Sequence, residues 1–209
     1  MLSEKLPLVI QAMPRYDHPY ASTAIQLAKA FSRQRRVFYI EHPFTWRDLT
    51  GPKKHNMLAR RPLWTKQKLP FSTPFADASN LVCISPRPQM PLNFLKPGRL
   101  HHNLQRQQAK SLWRQADAVL DRFGVEEFVY INSFDPLWDC HSRKKVRLQV
   151  YHCVDNMAGE RYIARHGVAA EARVAAAADM VVTTSDELAN RLQQLNPHTF
   201  TVRNGGEFN

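Results

Sequence analysis

The last sixty or so residues constrain the fold of this chain most. An apolar run over residues 148–154 ends in a polar turn at Asp155-Asn156 and leads into an alanine-rich, helical stretch. A second apolar run with a helical segment behind it covers residues 178–188, and a third, over 200–202, closes on Arg203-Asn204-Gly205-Gly206. Strands that alternate with helices predict a parallel sheet, because parallel neighbours need a crossover and the crossover is usually helical. Ligands of such sheets collect at the carboxyl ends of the strands.

The first part of the chain repeats the pattern. Residues 6–13 read as a strand stopped by Pro14, residues 15–19 as a polar loop, and residues from about 21 to 32 as a helix with Ala24, Leu27, Ala28 and Phe31 at helical spacing. Ser22 or Thr23 is its expected cap. Residues 36–40, rich in aromatic and β-branched side chains, form the second expected strand, closed by Glu41-His42-Pro43. Residues 44–79 carry Pro52, Pro62, Pro70 and Pro74 with Trp46 and Trp64, and read as a long irregular loop, which in a compact domain is usually functional. Residues 81–84 read as the third strand, 86–97 as a proline-rich excursion, and 101–123 as an amphipathic helix with a basic outer face. The fourth strand, 128–131, runs into Asn132-Ser133-Phe134-Asp135-Pro136, and a short helical piece is expected over 137–141. The pattern predicts a three-layer α/β, Rossmann-like domain with a mainly parallel sheet of about seven strands.

A chain of 209 residues fits one large domain with a sizeable core. Its 29 Lys and Arg against 18 Asp and Glu leave a net charge of +11, which bears on partners rather than on fold. A basic surface suits nucleic acid, an anionic membrane or phosphate-bearing substrates. Cys83, Cys140 and Cys153 show no CxxC spacing and are expected to be reduced packing residues of a cytosolic protein. No apolar stretch approaches the roughly 20 residues that span a bilayer, and the first residues lack a signal peptide's apolar core. A cytoplasmic location follows as the expectation, with any contact to the inner face of an anionic membrane peripheral.

The order Val154-Asp155, Glu171, Ala178-Asp179-Met180-Val181, Thr184-Ser185 with Leu188, and Asn204-Gly205 resembles the end of the N-terminal domain of two-domain glycosyltransferases of the GT-B fold, in the family 4-like and family 1-like group. The likeness covers most of the chain. It implies an acceptor-side domain over residues 1–203, with 204–209 opening a linker to a separate donor-binding domain. The implied activity is a sugar-nucleotide-dependent, hexosyltransferase-type reaction in cell-surface polysaccharide or glycolipid synthesis. A nucleoside diphosphate sugar is then the donor substrate, no cofactor is permanently bound, and the acceptor is a glycan or a lipid-linked sugar. This chain alone is expected to be inactive.

Glycosyl transfer without a metal needs a base for the acceptor hydroxyl and positive charge for the departing diphosphate. Asp155, where the fifth strand should end, is the leading candidate for base or acceptor-hydroxyl contact. Capping of the following helix by Asp155 or Asn156 explains the same residues. Members of the family resembled often carry His immediately before this Asp, and here Val154 takes that place. His152 should share a face with Val154 by strand alternation, and stands as second catalytic candidate against a packing role. In the first loop, which is often glycine-rich in the family and has no glycine here, Arg15 offers charge and Asp17 and His18 hydroxyl contacts, although an Asp-x-Pro turn accounts for the composition equally. Asn132, Ser133 and Asp135 are placed to line the acceptor cleft, or to cap a turn before Pro136. Ser185, followed by Asp186 and Glu187, reads as an N-cap, and Glu171 as a solvated or packing residue. The nine histidines show no HxH or HExxH spacing, so no metal site is expected.

Two other classes compete. A dinucleotide-dependent oxidoreductase should carry GxGxxG after the first strand, where this chain has Met13-Pro14-Arg15-Tyr16-Asp17-His18. A basic Rossmann-like module binding nucleic acid or another anionic partner, without catalysis, suits the charge but shows no recognisable motif. A cleft at the strand ends favours the transferase, and a continuous basic stripe elsewhere favours nucleic acid.

Overall fold

The computed structural model describes residues 5–18, 22–65, 69–159 and 164–205. Residues 19–21, which include the expected start of the first helix, and Gly206 of the closing turn lie outside this set. The chain runs β1 (Leu8–Ala12), α1 (Thr23–Ser32), β2 (Val37–Glu41), α2 (Lys54–Thr65), β3 (Phe71–Ser72), β4 (Leu81–Ile84) and α3 (Arg99–Arg122). It continues through β5 (Glu127–Ser133), β6 (Lys145–Cys153), α4 (Ala164–Ala177), β7 (Met180–Thr183), α5 (Asp186–Leu192) and β8 (Thr199–Thr201). Short 3-10 turns at Trp46–Leu49 and Met157–Gly159 precede α2 and α4.

The strands form one eight-stranded sheet in the order β3-β4-β2-β1-β5-β6-β7-β8, parallel throughout except for the edge pair β3–β4. β1, β2 and β4 are buried along their whole length, as expected of parallel strands covered on both faces. Alternation divides them cleanly. Leu8, Ile10, Val37, Tyr39, Leu81 and Cys83 pack against Ala24, Ile25 and Ala28 of α1. Val9, Phe38, Ile40, Val82, Ile84, Phe128 and Tyr130 pack against Leu112, Trp113, Ala116 and Leu120 of α3. α4 and α5 cover Tyr151, Cys153 and Val181. Ser22 caps α1 by accepting from the Ile25 N–H at 3.3 Å, and Ser185 caps α5 by accepting from the Leu188 N–H at 3.3 Å.

The structure departs from the sequence reading in three places. Residues 44–79 are not a continuous loop, for α2 and the edge strand β3 lie within them. α2 tolerates Pro62 in its last turns because the buried Met57 and Arg60 hold it to the domain. Residues 137–141 form no helix, and the chain there crosses directly from β5 to β6. The fifth strand expected from residue 148 begins earlier, at Lys145, with a register shift opposite Phe128 and Val129. The alanine-rich helix is described over Ala164–Ala177, with residues 160–163 outside the described set.

Candidate functional site

The connections after β1 and β5 diverge. From β1 the chain proceeds towards β2 and β4 on one side, and β5 lies on the other, so the sheet's direction of growth reverses between β1 and β5. Such a switch point leaves a crevice at the carboxyl ends of the strands. Here the crevice is a cleft of about 520 Å³ lined by residues that include Arg15, His18, Lys53, Ser133, Asp155 and Asn204, with Met13, Phe134 and Val154 as apolar floor.

The wall on the β1–β2 side is tied by charge. Glu41, the last residue of β2, is only 1% exposed. Its carboxylate accepts from the Arg60 Nε at 3.1 Å and Nη2 at 2.8 Å, from the Tyr16 N–H at 3.3 Å, and from the Ser85 hydroxyl. Arg60 also donates through Nη1 to Asp17 at 2.7 Å and lies over the Tyr16 ring at 4.0 Å. Asn56 donates to the same Asp17 oxygen at 2.7 Å. Burial alone would raise the Asp17 carboxyl, but the hydrogen bonds from Arg60 and Asn56 outweigh it and hold the group below the ordinary carboxylate range. Burial likewise opposes the Arg60 charge, and its bonds to Glu41 and Asp17 overcome it and raise the pKa. Arg15 stacks on Phe44 at 3.7 Å and donates to the Pro43 carbonyl at 3.3 Å. Its burial lowers the guanidinium pKa, against the attraction of Asp48.

The floor is set by an unusual turn. Phe134 has φ of +56°, a left-handed conformation that costs an aromatic residue about 1–2 kcal/mol. Its neighbours hold it there. The Asn132 side chain accepts from the Asp135 N–H at 2.9 Å and donates to the Asp135 carbonyl at 3.1 Å. Gln11 of β1 donates to the Trp138 carbonyl at 2.9 Å, and the Phe134 N–H donates to the His152 carbonyl at 2.9 Å. Beyond the turn, the fully buried Asp135 carboxylate meets His42 Nδ1 at 2.9 and 3.1 Å, bridging the ends of β2 and β5 across β1.

The opposite wall is the turn after β6. Asp155 is exposed, and one carboxylate oxygen accepts from the Asn156 N–H at 2.7 Å. Asn156 accepts in turn from the Ala158 N–H at 3.1 Å, so it caps the 3-10 turn rather than α4. His152 is buried beneath, its Nδ1 2.9 Å from the Ser133 Oγ, and burial lowers its pKa. It supports the cleft from behind, through the Ser133 hydroxyl and the Phe134 N–H.

Of the residues expected from sequence, Arg15, His18, Ser133 and Asp155 line this cleft together. Asp17, Asn132, Asp135 and His152 do not line it, and each is engaged in holding it: Asp17 by Arg60, Asn132 and Asp135 in the floor turn, His152 under Ser133. Glu171 is 1% exposed and paired with Arg191 at 2.6 Å, a packing position rather than a solvated one. Arg60, Glu41, His42 and Lys53 are additions. Glu41 left a signal in the sequence, since an acid closing an otherwise apolar strand needs a cation. Arg60 and Lys53 fall within residues 44–79, which read from sequence as an irregular loop. Among the described residues, no group of three or more His, Cys, Asp or Glu converges as metal ligands, and no helix is long and apolar enough to cross a membrane.

No family model matches the chain, and no curated protein sequence matches it. Among solved structures it is similar to a sucrose-phosphate synthase from Thermosynechococcus elongatus, at 9% identity and a TM-score of 0.46, with 95% of this chain and 89% of that chain covered. A likeness so distant does not bear on chemistry.

Proposed function

We propose that this chain is the acceptor-side domain of a sugar-nucleotide-dependent glycosyltransferase, working with a second α/β domain that holds the donor. The observation that carries the reading is the cleft at the sheet's switch point, where Asp155 stands exposed among Arg15, His18 and Lys53. In this reading Asp155 takes the proton of an acceptor hydroxyl as its oxygen bonds the anomeric carbon. The bond from that carbon to the diphosphate breaks, and the nucleoside diphosphate leaves with the electron pair. Arg15 and Lys53 favour the anionic leaving group. Ser133, His18 and Asn204 offer hydroxyl, imidazole and amide groups to the sugar acceptor. Asp17 is a poorer candidate for base, since its charge is already stabilised by Arg60 and Asn56.

A second candidate for base is His42. Asp135 fixes its Nδ1, so Nε2 is the nitrogen that remains for proton transfer, an arrangement of the kind that orients catalytic imidazoles. The roles in cell-surface polysaccharide or glycolipid synthesis are part of the same proposal. The test is product formation by the natural full-length protein from a panel of nucleoside diphosphate sugars and simple glycan acceptors. Transfer of a hexose from at least one donor is expected, and release of neither product nor free nucleoside diphosphate across the panel would reject the reading.

A further inference from the structure

The net positive charge of the chain is unevenly placed. No Asp or Glu occurs between Asp77 and Asp117, and the same stretch carries Arg87, Lys96, Arg99, Arg106, Lys110 and Arg114. All six are exposed, and among the described residues none of them forms an ion pair. The basic run at residues 143–147 differs, for Arg143, Lys144 and Arg147 pair with Asp117, Asp121, Glu126 and Glu127 at 2.6 to 3.7 Å. Uncompensated charge therefore collects on the first two thirds of α3 and the segment before it.

Apolar exposure collects in the same place. Met90, Phe94 and Leu100 are 63%, 65% and 65% exposed, the highest values of any large apolar side chain among the described residues. Single exposed apolar residues are ordinary, but three together inside one cationic region are not. Hydrogen bonds lay the segment along α3: the Arg87 N–H donates to Gln115 Oε1 at 2.9 Å, and Gln108 Nε2 donates to the Met90 carbonyl at 3.2 Å. Leu100 heads an exposed row on α3 that continues through Asn103, Gln107, Lys110 and Arg114 at steps of three and four, with Arg99 and Arg106 beside it. Pro88, Pro91 and Pro97 fix φ along the segment, so its apolar tips are presented with little backbone freedom left to lose.

We propose that residues 87–100 and the exposed face of α3 dock on an anionic lipid bilayer. The cations meet the headgroup phosphates, and Met90, Phe94 and Leu100 enter the boundary between headgroups and acyl chains. Among the described residues no helix is long and apolar enough to cross a membrane, so this surface lies on the bilayer rather than in it. Nucleic acid complements the cations alone, because Met90 and Leu100 offer its bases no stacking face. A lipid surface complements both the charge and the apolar tips. None of these residues lines the cleft, and the proposal does not depend on the transferase reading.

The test is co-sedimentation of the natural full-length protein with vesicles of phosphatidylcholine alone and of phosphatidylcholine with about one third phosphatidylglycerol. Binding to the anionic vesicles should be about tenfold tighter or more, and should weaken as salt rises from about 0.05 to about 0.5 M. Arg106→Gln, Lys110→Gln and Arg114→Gln together should weaken it about a hundredfold, at roughly fivefold per cation. Met90→Ser, Phe94→Ser and Leu100→Ser together should weaken it about tenfold or more and leave its salt dependence in place. Lys5→Gln, Arg33→Gln and Arg36→Gln, near the amino ends of β1 and β2, should leave it nearly unchanged. Every substituted position is exposed, so each variant should melt with the parent protein. Equal binding to both kinds of vesicle, equal losses in the two cation variants, or no loss in the apolar variant would overturn the proposal. So would tighter binding to a single-stranded oligonucleotide than to anionic vesicles, lost with the α3 cations and kept in the apolar variant, which would assign the surface to nucleic acid.

Discussion

On the β1–β2 side of the cleft, Glu41, Arg60 and Asp17 form a chain of ion pairs, buried at Glu41 and Arg60 and half-buried at Asp17, that clamps α2 over the strand ends. On the β6 side, Asp155 stands in solvent with a local bond to the next residue's N–H. Charges of the first kind are fixed in place by their partners. A carboxylate of the second kind keeps oxygen lone pairs for a substrate. The same residue type thus serves as scaffold at one wall and is available for chemistry at the other, and burial decides which.

The largest expected effect tests the clamp. Arg60→Ala leaves Glu41 buried without its cation, which should cost about 3–5 kcal/mol. For a chain of this length that lowers the melting temperature by roughly 6–20 °C, measurable by calorimetry. A loss below about 1 kcal/mol, the range of a surface pair, would show that the clamp is no stronger than an exposed salt bridge.

The floor between the two walls should be intermediate. Asn132→Ala removes the acceptor of the buried Asp135 N–H and the brace of the left-handed Phe134. About 1–3 kcal/mol should be lost in urea denaturation, and an unchanged midpoint would mean that Gln11 and His152 hold the turn unaided.

The smallest effect is expected in pH dependence. His152 has its pKa lowered by burial, so the folded state binds its proton less readily than the unfolded state does. Its contribution is fully present above the unfolded value of about 6.5 and is lost as pH falls through the lower, folded value. His152→Gln should therefore flatten part of the stability loss seen in denaturant titrations below about pH 6.5. Parallel profiles for the two proteins would place the acid sensitivity elsewhere, with His101 and His166 next in line.

The sheet was legible because its strands are apolar runs bounded by polar turns, and the order of strand and helix signals already required a parallel arrangement. α2 was hidden by proline: with Pro52 before it and Pro62 inside it, residues 54–65 lack the local pattern of a helix, and tertiary burial of Met57 and Arg60 supplies what propensity does not. The site was legible to the extent that strand ends mark it. Arg15, His18, Ser133 and Asp155 follow from position alone. That Asp17 pairs with Arg60 and Asp135 with His42 depends on contacts across 43 and 93 positions of the chain, which spacing along a sequence does not encode.

The claim that the exposed wall performs chemistry while the buried one supports it is tested most directly by Asp155→Asn in the natural full-length protein, followed in turnover and in melting temperature together. The amide keeps the size of the side chain and an oxygen to accept from the Asn156 N–H, and removes the basic carboxylate. Turnover should fall by the ~10²–10⁴ typical of general-base loss while the melting temperature stays nearly unchanged. A variant that melts early and keeps its turnover would make Asp155 a structural residue and move the search for the base to His42.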